Sequence, residues 1–479
     1  MTRNPAWILR RLLLMSPGEI LHRSVRAIER MADRRRTKRK SVVARLDDFT
    51  GEEFPAGSWY LDLDKQNEIR SNVRDRWGWD ETKAREFLNH RFTFFSFEAE
   101  DFGPTISWNR DYLSGKEAPL DFGPTLDYRD PEKCGDIKYA WELNRHHHLV
   151  ELAKAWYLTG DDAYAHEVTH QVDSWIDSSP YLYGINWASS LESAIRVINW
   201  CFCLSLLESG IGTVVKREFV KKWMASIHEH LMFISRNFSG YSSANNHLIG
   251  EASGLFVGAV SCRFAESRKW ISKSRQILER EVSRQNWPDG VNKEQALAYQ
   301  AFVFDFLLLA GQLGGRNSVH FSKEYWSRLE KMAEFIHAMM DEDGEVPRIG
   351  DDDDGYVVRL SHRPDFRQFR SLLATSAILF GRRDFEAKSF GIDEKTFWLL
   401  GLTKTATPEA ARETGDGTTS FPHGGYTILS GGGARLVFDS GPLGYLSLAA
   451  HGHADALSIV LNYDGRPFLV DPGTYAYHT

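Results

Sequence analysis

Four polar clusters in this chain combine residue types and spacings that could do chemistry. Asn245-Asn246-His247 follows Ser242-Ser243 and opens an apolar helical run, where free backbone donors and exposed side chains meet. An Asn pair at such a place is, by itself, most often a cap. Asp289-Gly290-Val291-Asn292-Lys293-Glu294-Gln295 leads into Tyr299 on a helix otherwise lined by Phe302, Phe304 and Phe306. A Tyr on such a helix is usually core with its hydroxyl at the rim. His451-Gly452-His453-Ala454-Asp455 is followed by Asp471; two His at i and i+2 share one face of a strand, and a neighbouring carboxylate could complete a metal site.

The fourth cluster, His166-Glu167-Val168-Thr169-His170, matches the H-E-x-x-H pattern of zinc peptidases. Seventeen His in the chain make a chance match easy, and no second motif offers a third ligand, so a zinc peptidase is a remote alternative. Asp351–Asp354 invites a calcium reading, but Val346 stands where an EF-hand loop needs Gly; a solvated acidic loop is expected.

The elements that must position these groups are mainly helical. From about 140 to 400, apolar residues recur at helical spacing, with breaks at Gly, Pro and Asx clusters that imply helical hairpins. Helices are expected over 147–158 stopped by Gly160, from a cap at Asp161 to 176, and over 191–207, 247–264, 270–285, 294–313 and 324–340. After Lys404 the pattern turns to a polar stretch and then short alternating segments at 426–429, 435–438, 457–463 and 467–470. Asp464-Gly465 between the last two is a hairpin turn. The domain expectation is a basic segment over 1–50, a helical catalytic domain over 51–404, a linker over 405–419, and an antiparallel β domain from 420 to 479. Tyr475-Ala476-Tyr477 still reads as strand, so the β-sandwich is expected to be truncated at Thr479.

Composition bounds the rest. Hydrophobic residues are 42% and charged residues 26%, while 15 Trp, 17 Tyr and 29 Phe raise the aromatic share to 13%, mostly for a large core. The net charge is −7, yet residues 1–40 carry twelve Lys/Arg against Glu19, Glu29 and Asp33, so the head is +9 and the remainder −16. Such a head could meet nucleic acid, an anionic membrane or an acidic polymer; a solvated arm or exposed helix is the expectation, with no nucleic-acid partner. Arg10 and Arg11 interrupt the only apolar stretch near the start, so no export signal is read and localisation stays open. No segment approaches the roughly 20 apolar residues of a membrane span. Cys134, Cys201, Cys203 and Cys262 are too few and irregular for a disulfide framework and are expected to be buried thiols.

Together the clusters and their order resemble the heparinase II/III superfamily of polysaccharide lyases. The stretches that carry the resemblance are Trp141-Glu142-Leu143-Asn144-Arg145, Asn186-Trp187-Ala188-Ser189-Ser190-Leu191-Glu192, Asn245-Asn246-His247, Asp289-Gly290 through Tyr299, Arg348-Ile349-Gly350-Asp351, and His451-Gly452-His453-Ala454-Asp455 with Asp471-Pro472-Gly473. The resemblance covers about residues 130–479 and implies an incomplete (α/α) toroid followed by an antiparallel β-sandwich. It implies β-elimination on a uronic-acid-containing acidic polysaccharide, in which a neutralised carboxylate lets the developing C5 carbanion delocalise. It assigns carboxylate neutralisation to Asn246 and His247, proton transfer to Tyr299 and His451, and substrate binding to Arg145, Trp187, Glu294 and Arg348. It also implies a structural metal, usually zinc, on His453 and Asp471, with a third ligand expected beyond Thr479. Members of the family usually work in the periplasm or outside the cell. A non-catalytic or exopolysaccharide-processing carbohydrate-binding protein of the same fold is the alternative. Gln300 stands where family members often have His.

Overall fold

A computed structural model describes residues 15–39, 48–401, 417–445, 449–453 and 455–474. Its helical part is an incomplete (α/α) toroid of antiparallel hairpins. The helices run His147–Thr159, Asp162–Ser178, Ser190–Leu207, Arg217–Arg236, Asn246–Ser261, Ser267–Arg284, Leu297–Arg316 and Lys323–Met339, with shorter ones up to Glu394–Leu400. Local chemistry sets their ends. Asp161 accepts from the Ala163 N–H, Ser189 from Glu192 and Asn245 from His247, each satisfying a first-turn donor. Gly160 closes the first of these helices in the left-handed region at φ 78°, which L side chains enter only with strain.

The helix Asn246–Ser261 is the hub, packed on Ser190–Leu207, Ser267–Arg284 and Leu297–Arg316. Gly254 makes its closest approach possible: a Cβ there would sit 2.5 Å from that of Ala194. Helices over Ser190–Gly210 and Leu297–Arg316 are long and apolar enough to cross a membrane, contrary to expectation, but both lie inside the core. All four thiols are buried and free. The helix Arg217–Arg236 and the hairpin Arg91–Phe94/Phe97–Asp101 add to what the sequence pattern marked.

The β region is a five-stranded antiparallel meander, Gly417–Phe421, Tyr426–Gly431, Ala434–Asp439, Ile459–Tyr463 and Arg466–Leu469, each strand paired with the next. It begins at Gly417, inside the expected linker; 402–416 and the strand-like Tyr475–Tyr477 lie outside the described residues. Within this region the described residues supply one sheet, where the sequence pattern led to the expectation of a sandwich. Asp464 and Gly465 both take positive φ, 46° and 71°, the requirement of a tight two-residue hairpin loop.

Alternation in the sheet brings Phe421, Tyr426, Ile428, Val437 and Val460 to one face, against Val291, Leu297, Phe335, Met339 and Ile349 of the toroid. Each such fully buried side chain stabilises the docking by on the order of 1.5–3 kcal/mol. Asp289 pins the seam by accepting the backbone N–H groups of His423 and Gly424 at 2.7 and 3.0 Å. Toroid and sheet are therefore joined by an apolar core and a polar rivet, and the loop after the third strand is carried over the mouth of the toroid.

Candidate active site

Asn246 is the first residue of the hub helix and is buried. Its backbone N–H and its side-chain amide both donate to Glu294, at 2.7 Å each, which fixes the amide plane. Its Oδ1 is buried without a hydrogen-bond partner. Glu294, expected to bind substrate, is itself buried and occupied in holding Asn246. Burial raises the Glu294 carboxyl despite the opposing pull of His451 and the Asn246 hydrogen bonds. His247, next on the helix, is held down to about 4 by burial and then by the nearby His451, which keeps its imidazole neutral.

Tyr299 lies in the first turn of the helix Leu297–Arg316, and the β-domain loop lays His451 against it. The two rings stack with centroids 3.7 Å apart and planes 19° from parallel. His451 adopts φ 71°, a costly conformation for a residue with a Cβ. Asp351 holds it there twice: its backbone N–H donates to the His451 carbonyl at 2.9 Å, and its carboxylate accepts from the ring Nδ1 at 3.2 Å. The Nε2 of the same ring lies 3.7 Å from Glu294.

The acidic loop 351–354, expected to be solvated, is thus part of the site. Besides Asp351, it supplies Asp353, which accepts from the Tyr299 hydroxyl at 3.2 Å and pairs with Lys138 at 3.4 Å. Burial raises the Asp353 carboxyl, but Lys138, Arg145 and the Tyr299 hydrogen bond outweigh it and leave it below the usual carboxylate range. Sequence reasoning gave no site role to Lys138, Asp351 or Asp353, although Asp351 closes one of the stretches that carry the resemblance and both aspartates lie in the run weighed for calcium.

The remaining candidates separate. Arg145 is buried and fully engaged, forked onto Glu192 at 2.8 and 3.0 Å and bonded to Glu142 at 2.9 Å. It contributes positive potential at Asp353 rather than an open clamp. Arg348 is exposed, with its side chain alongside Gly473. Trp187 is 1% exposed; it donates to the Ser179 carbonyl and packs on Tyr181, His230 and Phe233, so it presents no face to a sugar. The His166–His170 helix assembles no metal site: Glu167 pairs with His90 at 2.8 Å, and both His166 and His170 are exposed.

Among the described residues, His453, Asp455 and Asp471 form the one group able to hold a metal, with ligand atoms within 4.8 Å of one another. The set fits a cation: Asp455 Oδ2 is a buried acceptor with no hydrogen-bond partner. Asp351 accepts from His453 Nε2 at 3.1 Å, leaving Nδ1 on the side of Asp471. A carboxylate behind a ligating imidazole orients the ring and raises its basicity. Asp351 therefore braces both His451 and the metal-side His453.

Comparison with known proteins follows this geometry. The sequence model described as Heparinase II/III N-terminus matches residues 27–375, and that of Heparinase II/III-like, C-terminal matches 413–479. The chain is similar to a heparin-sulfate lyase of Bacteroides thetaiotaomicron, 24% identical over 392 residues, covering 78% of this chain and 52% of that protein. A heparin-sulfate lyase of Bacteroides stercoris is 25% identical over 283 residues, covering 54% of this chain and 39% of that protein. Among solved structures, a heparinase III crystal structure superimposes with TM-score 0.62 at 19% identity, over 88% of this chain and 60% of that one. The chain spans about half or less of the length of these two curated relatives. The N-terminal match alone covers most of the sequence, and this chain belongs to the heparinase II/III family.

Proposed function

We propose that this protein is a polysaccharide lyase that cleaves a uronic-acid-containing acidic polysaccharide by β-elimination. The observation that carries the reading is the stacked Tyr299–His451 pair beside the buried Asn246 amide and the half-buried His247 imidazole, groups drawn from two domains. A uronate carboxylate seated on the Asn246 amide and the neutral His247 would be neutralised by donated hydrogen bonds, which lowers the cost of a carbanion at C5. His451 takes the C5 proton on Nε2. The electron pair left behind forms the C4–C5 double bond as the C4–O bond breaks. Tyr299 delivers its hydroxyl proton to the departing oxygen. Asp353, itself paired with Lys138, holds that hydroxyl in place, and exchange through solvent carries the proton gained by His451 back to the Tyr299 phenolate.

The donor set His453, Asp455 and Asp471, one imidazole and two carboxylates, is suited to zinc. A bound zinc would act structurally, neutralising the two carboxylates and tying the His451 loop to the end of the last hairpin. The relatives named heparin-sulfate lyase make heparin-type and heparan-type polymers the first substrates to try.

The test is ultraviolet absorbance of the unsaturated uronate product across a panel of uronate polysaccharides. Product from the parent protein and none from Tyr299→Phe supports the assignment. Full turnover by Tyr299→Phe removes Tyr299 from the mechanism, and tight binding without product in the parent protein favours a carbohydrate-binding role instead.

A further inference from the structure

The helix Pro17–Arg39 sits on the toroid with its amphipathicity turned outward. Its polar side makes the contacts with the body. Glu19 is buried and accepts from Ser242 at 2.7 Å, Arg23 donates to Ser242 at 3.2 Å, and Arg26 donates to Asn237 at 2.6 Å. The ring of His22 packs against Tyr241 at 5.2 Å. The opposite side carries Ile20, Leu21, Val25, Ile28 and Met31, spaced so that they form one stripe along the helix. All five are exposed, Leu21 by 66%, Ile28 by 63% and Met31 by 55%. An amphipathic helix whose polar face is already consumed by its own protein has only its apolar face left for a partner.

Charge identifies that partner. Between Arg23 and Lys40 the segment holds nine Lys/Arg against Glu29 and Asp33, and the exposed Arg34 and Arg35 continue past the end of the apolar stripe. A stripe of large aliphatic side chains flanked by guanidinium groups is the pattern of a helix lying in the interface of an anionic bilayer. An acidic polysaccharide would use the arginines but gain nothing from the five aliphatic side chains.

We propose that Pro17–Arg39 is an interfacial helix that lays Leu21, Val25, Ile28 and Met31 into the surface of an anionic lipid bilayer, with the toroid hung from its other face. Its attachment points, Asn237 to Ser242, lie on the segment that leads directly into Asn246. A bilayer bound there holds the enzyme by the edge next to its candidate site.

The experiment is co-sedimentation of the full chain with phosphatidylcholine vesicles, with and without a third of phosphatidylglycerol, alongside Leu21→Ser/Val25→Ser/Ile28→Ser and Arg34→Glu/Arg35→Glu. Expected are binding to the anionic vesicles only, loss of about tenfold or more in partitioning for the serine variant, and weakening by salt through screening of the basic flank. Circular dichroism and thermal midpoint of both variants should match the parent, because the substituted side chains are exposed. The vesicle readout does not require turnover and stands apart from the lyase assay. No partitioning to anionic vesicles, or equal partitioning of the serine variant, overturns the proposal. So does retention on an immobilised acidic polysaccharide that needs Arg34 and Arg35 with no vesicle binding, and so does a concentration-dependent dimer that the serine variant abolishes without any vesicle binding.

Discussion

Glu294 accepts two hydrogen bonds from Asn246, one from its backbone and one from its side chain. The carboxylate thereby fixes the amide proposed to meet the substrate. Glu294→Ala should free that amide to rotate, and kcat should fall by about 100-fold, the usual worth of one oriented donor at a developing negative charge. A Michaelis analysis is the check, since the loss should appear in kcat more than in KM. Turnover within threefold of the parent would sink the positioning role.

Tyr299→Phe keeps the ring that stacks on His451 and removes only the hydroxyl, so the thermal midpoint should barely move while turnover falls by about 10²–10⁴-fold. Asp353→Asn keeps an acceptor for that hydroxyl but removes the charge that pairs with Lys138, and a smaller loss is expected. Steady-state rates of the two variants, ranked in that order, are the measurement; the reverse order contradicts the proposed division of roles.

Asp351 braces His451 and His453 together, so one substitution should weaken two properties. In Asp351→Ala both turnover and metal retention should drop, the latter by about 10–100-fold in affinity, as when a carboxylate behind a ligating imidazole is lost. Elemental analysis after dialysis against a graded chelator series reads the metal arm. Unchanged retention with lost turnover would confine Asp351 to His451.

Glu251 gives a pH signature. Its carboxyl is buried on the hub helix, and burial pushes it up to about 7 against the hydrogen bonds from Ser190 and Ser239. Between about pH 4.3, its ordinary value, and 7 the folded protein therefore holds a proton that the unfolded chain has released. This contribution favours folding fully at low pH and is lost as pH rises through 7. Glu251→Gln removes it, so the stability of the variant relative to the parent should climb with pH by up to about 3 kcal/mol across that window. Urea unfolding at pH 5 and pH 8 tests the sign; a difference that shrinks with pH would show the carboxyl to be charged in the fold.

Trp187 separates a core role from a sugar-stacking role. With its indole buried among Tyr181, His230 and Phe233, Trp187→Ala should cost about 3–5 kcal/mol in stability. Denaturant unfolding measures that, and KM of the folded fraction should stay near the parent value. A large rise in KM with little loss of stability would return Trp187 to the cleft.

The sequence by itself determined the helix-then-strand order, because periods of 3.6 and 2 are local properties of a chain and the punctuation at Gly160, Asp161 and Asp464-Gly465 acts on its nearest neighbours. It also singled out Asn246, His247, Tyr299 and His451, whose types and flanking residues stand in the sequence itself. What it left open was which polar groups face one another. Glu294 and Trp187 were assigned to substrate by resemblance, yet one is consumed by Asn246 and the other by the core. Asp351 and Asp353 read as a solvated acidic run, although Asp351 is bonded to His451, 100 residues away, and Asp353 to Tyr299, 54 residues away. Such contacts arise only when the sheet docks its apolar face on Val291, Phe335 and Ile349 and swings its loop over the toroid mouth. Long-range packing makes those neighbours, and no local pattern encodes it.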